Sequence, residues 1–165
     1  MTISGTVGAA IEAASFGIPA IAASQQTPKD LHLSYSNEVD FSIAAKITRQ
    51  FGIWLIDHSV LPDDVDLLKI DVPWEATDDI EWRMTRLSRR RVYWPTRPER
   101  ISLSDSGKLG YYYNTEPTKA EPDSDIYALL VDKVVSVTPM SLDMTSRTDM
   151  FRLRQIIEGK QGYGG

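Results

Sequence analysis

Ser4-Gly5-Thr6-Val7-Gly8-Ala9-Ala10-Ile11-Glu12-Ala13-Ala14-Ser15-Phe16-Gly17-Ile18-Pro19-Ala20-Ile21-Ala22-Ala23-Ser24 reads as a helix, a stop and a strand in immediate succession. The small and apolar residues of 7–16 predict a helix. Gly17 supplies the left-handed backbone that commonly ends one. Residues 18–24 form a short apolar run that predicts a buried strand. A helix start carries backbone N–H groups with no partner inside the helix. Glycine and hydroxylated residues at such a start let an anion approach those groups closely. Ser4, Gly5 and Thr6 are therefore candidate phosphate-binding residues, half of an oxyanion cradle. The bland alternative is a plain N-cap, a position that serine and threonine favour in any case.

Composition narrows the classes. The chain has 165 residues, 42% of them hydrophobic, enough for one globular domain with its own core. A formal net charge of −5 argues against broad attraction to nucleic acid or anionic membrane. With no cysteine, a disulfide framework, a zinc–thiolate site and a thiol nucleophile are excluded. No apolar run approaches the roughly 18 residues of a membrane helix. No basic segment precedes an apolar one at the N-terminus, so a soluble cytoplasmic protein is the expectation. The two histidines, His32 and His58, stand far apart in loop-like segments and read as surface residues rather than metal ligands. No nucleophile-elbow motif accompanies them.

Further along, apolar positions Val39, Ile43, Ile47, Phe51 and Leu55 recur at helical spacing, and Asn37 is placed as the cap of a helix running to Ile56. Residues 67–72 predict a strand stopped by Pro73. Residues 80–87 alternate, with Ile80, Trp82 and Met84 on one face and Glu81, Arg83 and Thr85 on the other, which predicts a half-buried strand. Residues 88–114 predict an extended hairpin arm with strand pieces at 91–94, 101–103 and 109–114 around a turn at Asp105-Ser106-Gly107-Lys108. The acidic stretch 115–125 reads as exposed. Ser124 caps a short helix through Val131, and 134–138 is a strand closed by Pro139. Thr145 or Ser146 starts a last helix, 147–158, with Met150, Leu153, Ile156 and Ile157 facing inward. The glycine-rich tail 159–165 reads as disordered. Alternating helices and strands point to an α/β layer architecture with a β-rich appendage.

Five segments in this order resemble the survival-protein (SurE) family of metal-dependent nucleotide phosphatases. Ser4-Gly5-Thr6-Val7-Gly8-Ala9-Ala10-Ile11-Glu12 is similar to the family's S-G-T-V-x-A-A-x-E helix start. Gly17-Ile18-Pro19-Ala20-Ile21-Ala22-Ala23-Ser24 is similar to its G-[IF]-P-[AS]-[IL]-A-x-S strand. Ile70-Asp71-Val72-Pro73 resembles N-[IV]-N-V-P with aspartate in place of the last asparagine. Thr85-Arg86 followed by Ser88-Arg89-Arg90-Arg91 resembles T-R-Q-[GS]-R-R. Ser124-Asp125 and 134–140 resemble T-D and G-Y-V-S-I-T-P-L, with Lys133-Val134 where Gly-Tyr is usual.

The resemblance implies the C-terminal part of a Rossmann-type three-layer α/β domain, residues 1–165, with a hairpin arm and a C-terminal helix. It implies a 5'-nucleotidase or acid phosphatase acting on nucleoside monophosphates, dependent on a divalent metal such as Mg or Mn. In the family Ser4, Gly5 and Thr6 would hold the phosphate oxygens. The family's metal ligands lie in N-D-D-G and S-G-x-N-x-G-x-N motifs, and neither occurs in these residues. Asp63-Asp64 and Asp78-Asp79 do not replace them. The expectation is a chain inactive alone and completed by a separate N-terminal half. The alternative is an oligomerisation or interaction module, since the arm and terminal helix of the family exchange between subunits of a dimer or tetramer. The arginine run supplies Arg86, Arg89 and Arg90 as candidates for substrate or subunit contact, with nucleic-acid binding disfavoured by the net charge.

Overall fold

The computed structural model describes residues 4–31, 37–57, 61–107, 110–113 and 116–159. Its centre is a four-stranded sheet of β1 (Ala20–Gln25), β2 (Leu67–Val72), β6 (Val135–Met140) and β3 (Trp82–Met84), in the order β1-β2-β6-β3. β1 and β2 are parallel, as are β3 and β6, while β2 and β6 run antiparallel. β4 (Tyr93–Thr96) and β5 (Gly110–Tyr113) form a separate antiparallel ribbon.

Helices cover both faces of the sheet, which gives three layers. Val7, Ala10 and Ala14 of α1 (Gly5–Ser15) pack on Ala20, Ala22, Leu67 and Met140. Ala44 and Phe51 of α2 (Ser42–Asp57) pack on Leu68, Ile70, Val72, Val135 and Val137. Small residues on α1 and β1 allow close approach, and the branched residues of β2 and β6 fill the other side. Gly17, with φ of 74°, turns the chain at the end of α1. Residues 16–19 then lead directly into β1. Such a short connection makes α1 run back along β1, so Ser4 comes to the end of the sheet where β1 and β2 finish.

Several elements differ from the sequence expectation. α2 begins at Ser42, well after Asn37, because the Asp40 carboxylate accepts from the Ser42 N–H at 2.8 Å and fixes the first turn there. β3 shrinks to residues 82–84, and Trp82 and Met84 are half exposed. The residue that turns inward is Thr85, whose Oγ1 lies 2.8 Å from Ser136 Oγ and 2.7 Å from Thr138 Oγ1. Pro139 does not close β6 but sits inside it, beyond the point where β3 runs alongside, so its missing N–H costs the ladder little.

Residues 101–103 are a turn rather than a strand: Asp105 accepts from the N–H groups of Ile101 and Ser102 and curls the backbone. The final helix is α4 (Met150–Ile157), capped by Asp149, which accepts from Arg152 N at 3.0 Å. Its apolar residues do not face inward, and none is buried. Within the acidic stretch, Ser124 and Asp125 are buried rather than exposed. Ser124 does cap α3 (Asp125–Tyr127), which continues as a π-turn over Ala128–Asp132. The tail beyond Gly159 lies outside the described residues.

Thr85, Ser136 and Thr138 share hydrogen bonds among buried hydroxyls. Thr85→Val keeps the shape and strands two hydroxyls. Urea denaturation should show a loss of about 1–3 kcal/mol; unchanged stability would mean that the trio contributes nothing.

Candidate functional site

The sequence-predicted oxyanion residues stand at the start of α1. Ser4 has extended backbone and accepts the Val7 N–H on its Oγ at 3.3 Å, a side-chain cap that leaves other first-turn N–H groups pointing outward. Among the described residues, a Cβ placed on Gly5 or Gly8 would meet nothing within 4 Å. Gly5 and Thr6 are exposed. The helix dipole adds a partial positive charge there.

The arginine segment follows β3. Arg86 donates its N–H to the Asp123 carbonyl at 3.0 Å and accepts from Asp125 N at 2.9 Å, while its guanidinium pairs with Asp123 at the surface. Ser88 N donates to Asp125 Oδ1 at 2.8 Å, and Ser88 Oγ donates to Glu121 Oε2 at 2.7 Å. Arg89 N reaches Glu121 and Arg90 N reaches Ser88 Oγ. The Ser88 hydroxyl, above all, holds the Glu121 carboxyl pKa below its usual value. So the acidic stretch grips the backbone of the arginine run more than its side chains. Among the described residues, no ion pair engages the guanidinium of Arg89 or Arg90. No hydrogen bond or ion pair there joins Ser4, Gly5 or Thr6 to Arg86, Arg89 or Arg90.

One cluster escaped the sequence reading. On β2, Leu68, Ile70 and Val72 face α2, so Lys69 and Asp71 face the α1 side. Lys69 pairs in the ladder with Thr138, and Asp71 with Ser136. The Lys69 ammonium binds the Asp71 carboxylate and donates to Asp125 Oδ2 at 3.0 Å. All three side chains are at most 15% exposed. Burial pushes the Lys69 pKa down, but the two carboxylates outweigh it and the net value lies above the usual 10.5. Burial raises the Asp71 pKa; Lys69 offsets part of that, and the Asp125 charge adds to it. The signal was present as Lys-x-Asp on one face of an otherwise apolar strand. Its third member, Asp125, lies far away in sequence.

Among the described residues no group of three or more His, Cys, Asp or Glu is arranged to hold a metal ion. The two carboxylates that come together, Asp71 and Asp125, share the Lys69 ammonium instead, so the residues present do not fit a divalent cation. His32 and His58 lie outside the described residues.

A sequence profile described as "Survival protein SurE" matches residues 1–93. The chain is 40% identical over 162 residues to a 5'-nucleotidase SurE of Thermococcus gammatolerans, covering 97% of this chain and 59% of that protein. It is 37% identical over 159 residues to a 5'-nucleotidase SurE of Archaeoglobus fulgidus, covering 96% of this chain and 57% of the other. Among solved structures, a SurE protein from Aquifex aeolicus matches with a TM-score of 0.62 and 26% identity, over 95% of this chain and 58% of that one. The chain thus spans about three-fifths of the length of the relatives it matches.

The Lys69 shift sets a pH dependence. A lysine whose folded pKa is raised contributes stability that is complete below its usual value of 10.5 and is lost as pH rises through the higher folded value. Asp71 acts in the opposite sense to an ordinary paired carboxylate. Its raised pKa makes its ionisation weaken the fold as pH climbs above the usual 3.8. Melting temperature followed from neutral to strongly alkaline pH should therefore fall less steeply in a Lys69→Met/Asp71→Leu variant than in the parent. Parallel curves would show that Lys69 carries no such linkage.

Proposed function

The chain belongs to the SurE family, and from that premise we propose that it is the phosphate-holding portion of a 5'-nucleotidase acting on nucleoside monophosphates. Ser4, Gly5 and Thr6 hold the phosphoryl oxygens: the Ser4 hydroxyl and the outward N–H groups of the first turn donate to charge that grows on those oxygens during transfer. The observation that carries this reading is the Ser4-capped start of α1 at the end of the sheet where β1 and β2 finish, where no described residue crowds Gly5 or Gly8. Arg89 and Arg90, exposed and without an ion pair among the described residues, are proposed to contact substrate or a neighbouring subunit.

The divalent metal that accompanies this chemistry in the family, Mg or Mn, finds no ligand set in the described residues. We therefore propose that these residues alone do not hydrolyse phosphomonoesters, and that the part of the relatives' length which they do not span completes the centre. A cytoplasmic location goes with this reading, because nucleoside monophosphates are intracellular metabolites. No helix among the described residues is long and apolar enough to cross a membrane.

A second reading, an oligomerisation module, is favoured by separate observations. The β4–β5 ribbon leaves Tyr93, Trp94 and Tyr112 more than 40% exposed, and an isolated two-stranded ribbon is marginal in water. α4 leaves Phe151 and Ile157 at least 70% exposed. Both elements would bury these faces on a neighbouring copy in a dimer or tetramer.

Two measurements separate the readings. The purified chain, with Mg or Mn and a nucleoside monophosphate, should show no turnover. Adding the part of the Thermococcus relative that this chain does not span should restore it, and Ser4→Ala should lower the restored rate at least about tenfold. Turnover by the chain alone, or a restored rate indifferent to Ser4→Ala, would sink the phosphate-holding role. Light scattering should show a dimer or larger species; a monomer would count against the module.

A further inference from the structure

The buried ionic cluster does more than fill the sheet. Asp125 is 6% exposed and sits where three pieces of chain meet. Its Oδ1 accepts from Ser88 N and from Ile126 N, both at 2.8 Å. Its Oδ2 accepts from Lys69 Nζ at 3.0 Å. One carboxylate thus connects the root of the arginine arm, the start of α3 and the middle of β2. The backbone pattern reinforces the junction, since Arg86 and Ser124 form an isolated parallel bridge. Beyond this root Val92 is buried, but every residue of β4 is exposed.

We propose that Asp125 is a positioning residue for the arm: through Lys69 it fixes residues 86–90 to β2, and so sets the direction in which Arg89, Arg90 and the β4–β5 ribbon leave the domain. Among the described residues, Lys69 is the hydrogen-bond partner that ties this carboxylate to the sheet, because its other two bonds lead to the arm root and to α3. Asp71 supplies the second carboxylate that lets a lysine be buried at this point. Glu121 cannot take over, since it holds Ser88 and Arg89 from the solvent side, where ion pairs and hydrogen bonds are weakly competitive. The inference is independent of whether the chain binds phosphate.

The test is limited trypsin digestion of the full 165-residue chain, with cleavage mapped by mass spectrometry. Cleavage after Arg89, Arg90 and Arg91 reports the arm root, and cleavage after Arg152 and Arg154 in α4 is the internal reference. Asp125→Ala should raise arm-root cleavage by about tenfold, because proteolysis tracks the population of the locally open state, while the reference sites change by less than about twofold. An equal rise at both places would show loosening of the whole domain, and no rise at the arm root would show that Asp125 does not hold it; either result overturns the proposal. Asp125→Asn guards against a variant that fails to fold. It leaves Lys69 paired with Asp71, keeps an amide oxygen to accept from Ser88 N and Ile126 N, and turns an N–H donor toward the Lys69 ammonium, so the tie to β2 alone is lost. The same selective rise is expected, and an unchanged arm root in that variant also overturns the proposal.

Discussion

The ammonium of Lys69, held between the carboxylates of Asp71 and Asp125 on a central strand, is the constraint on which the functional end of this molecule rests. Charges taken out of water cost several kcal/mol each unless geometry and hydrogen bonding compensate. Here the compensation comes from different parts of the chain: Asp71 from the same strand, Asp125 from the start of α3, and backbone N–H groups from Ser88 and Ile126. Removing one partner would leave a buried charge uncompensated. The cluster therefore acts less as a source of stability than as a condition on how three segments meet.

The arrangement also explains the two-sided character of the sheet. Toward α2 the strands carry leucine, isoleucine and valine and form an ordinary apolar layer. Toward α1 the layer divides. Alanines, Leu67 and Met140 pack beneath the helix, while Lys69, Asp71, Thr85, Ser136, Thr138 and Asp125 form a polar cluster. α1 returns its Ser4 cap to the end of the sheet where β1 and β2 finish. Parallel strands commonly place ligand sites at their carboxyl ends. The Ser4-capped helix start and the polar sheet face lie on the side of the sheet where that tendency applies.

The sequence made some of this legible and hid the rest for physical reasons. β2 was readable to the residue, because an apolar run before a proline admits few alternatives. α1 and β1 were readable from small residues on either side of Gly17. The apolar stripe of α4 was misplaced inward. Periodicity reveals that a face is apolar but not what covers it, and among the described residues none of that stripe is buried. Asp125 was hidden in a stretch whose composition suggested solvation, yet its role depends on Lys69, brought to it only by the fold. The helix start at Ser4, Gly5 and Thr6 was readable from local capping chemistry, which needs no tertiary information.

The most direct test of the central claim is a double-mutant cycle between Lys69 and Asp125, measured by urea denaturation in an Asp71→Asn background so that no third charge interferes. The account predicts a coupling of about 1–3 kcal/mol between Lys69→Met and Asp125→Leu. Losses that add to within about 0.5 kcal/mol would mean that the two side chains do not act together, and that the arm is held to the sheet by something else.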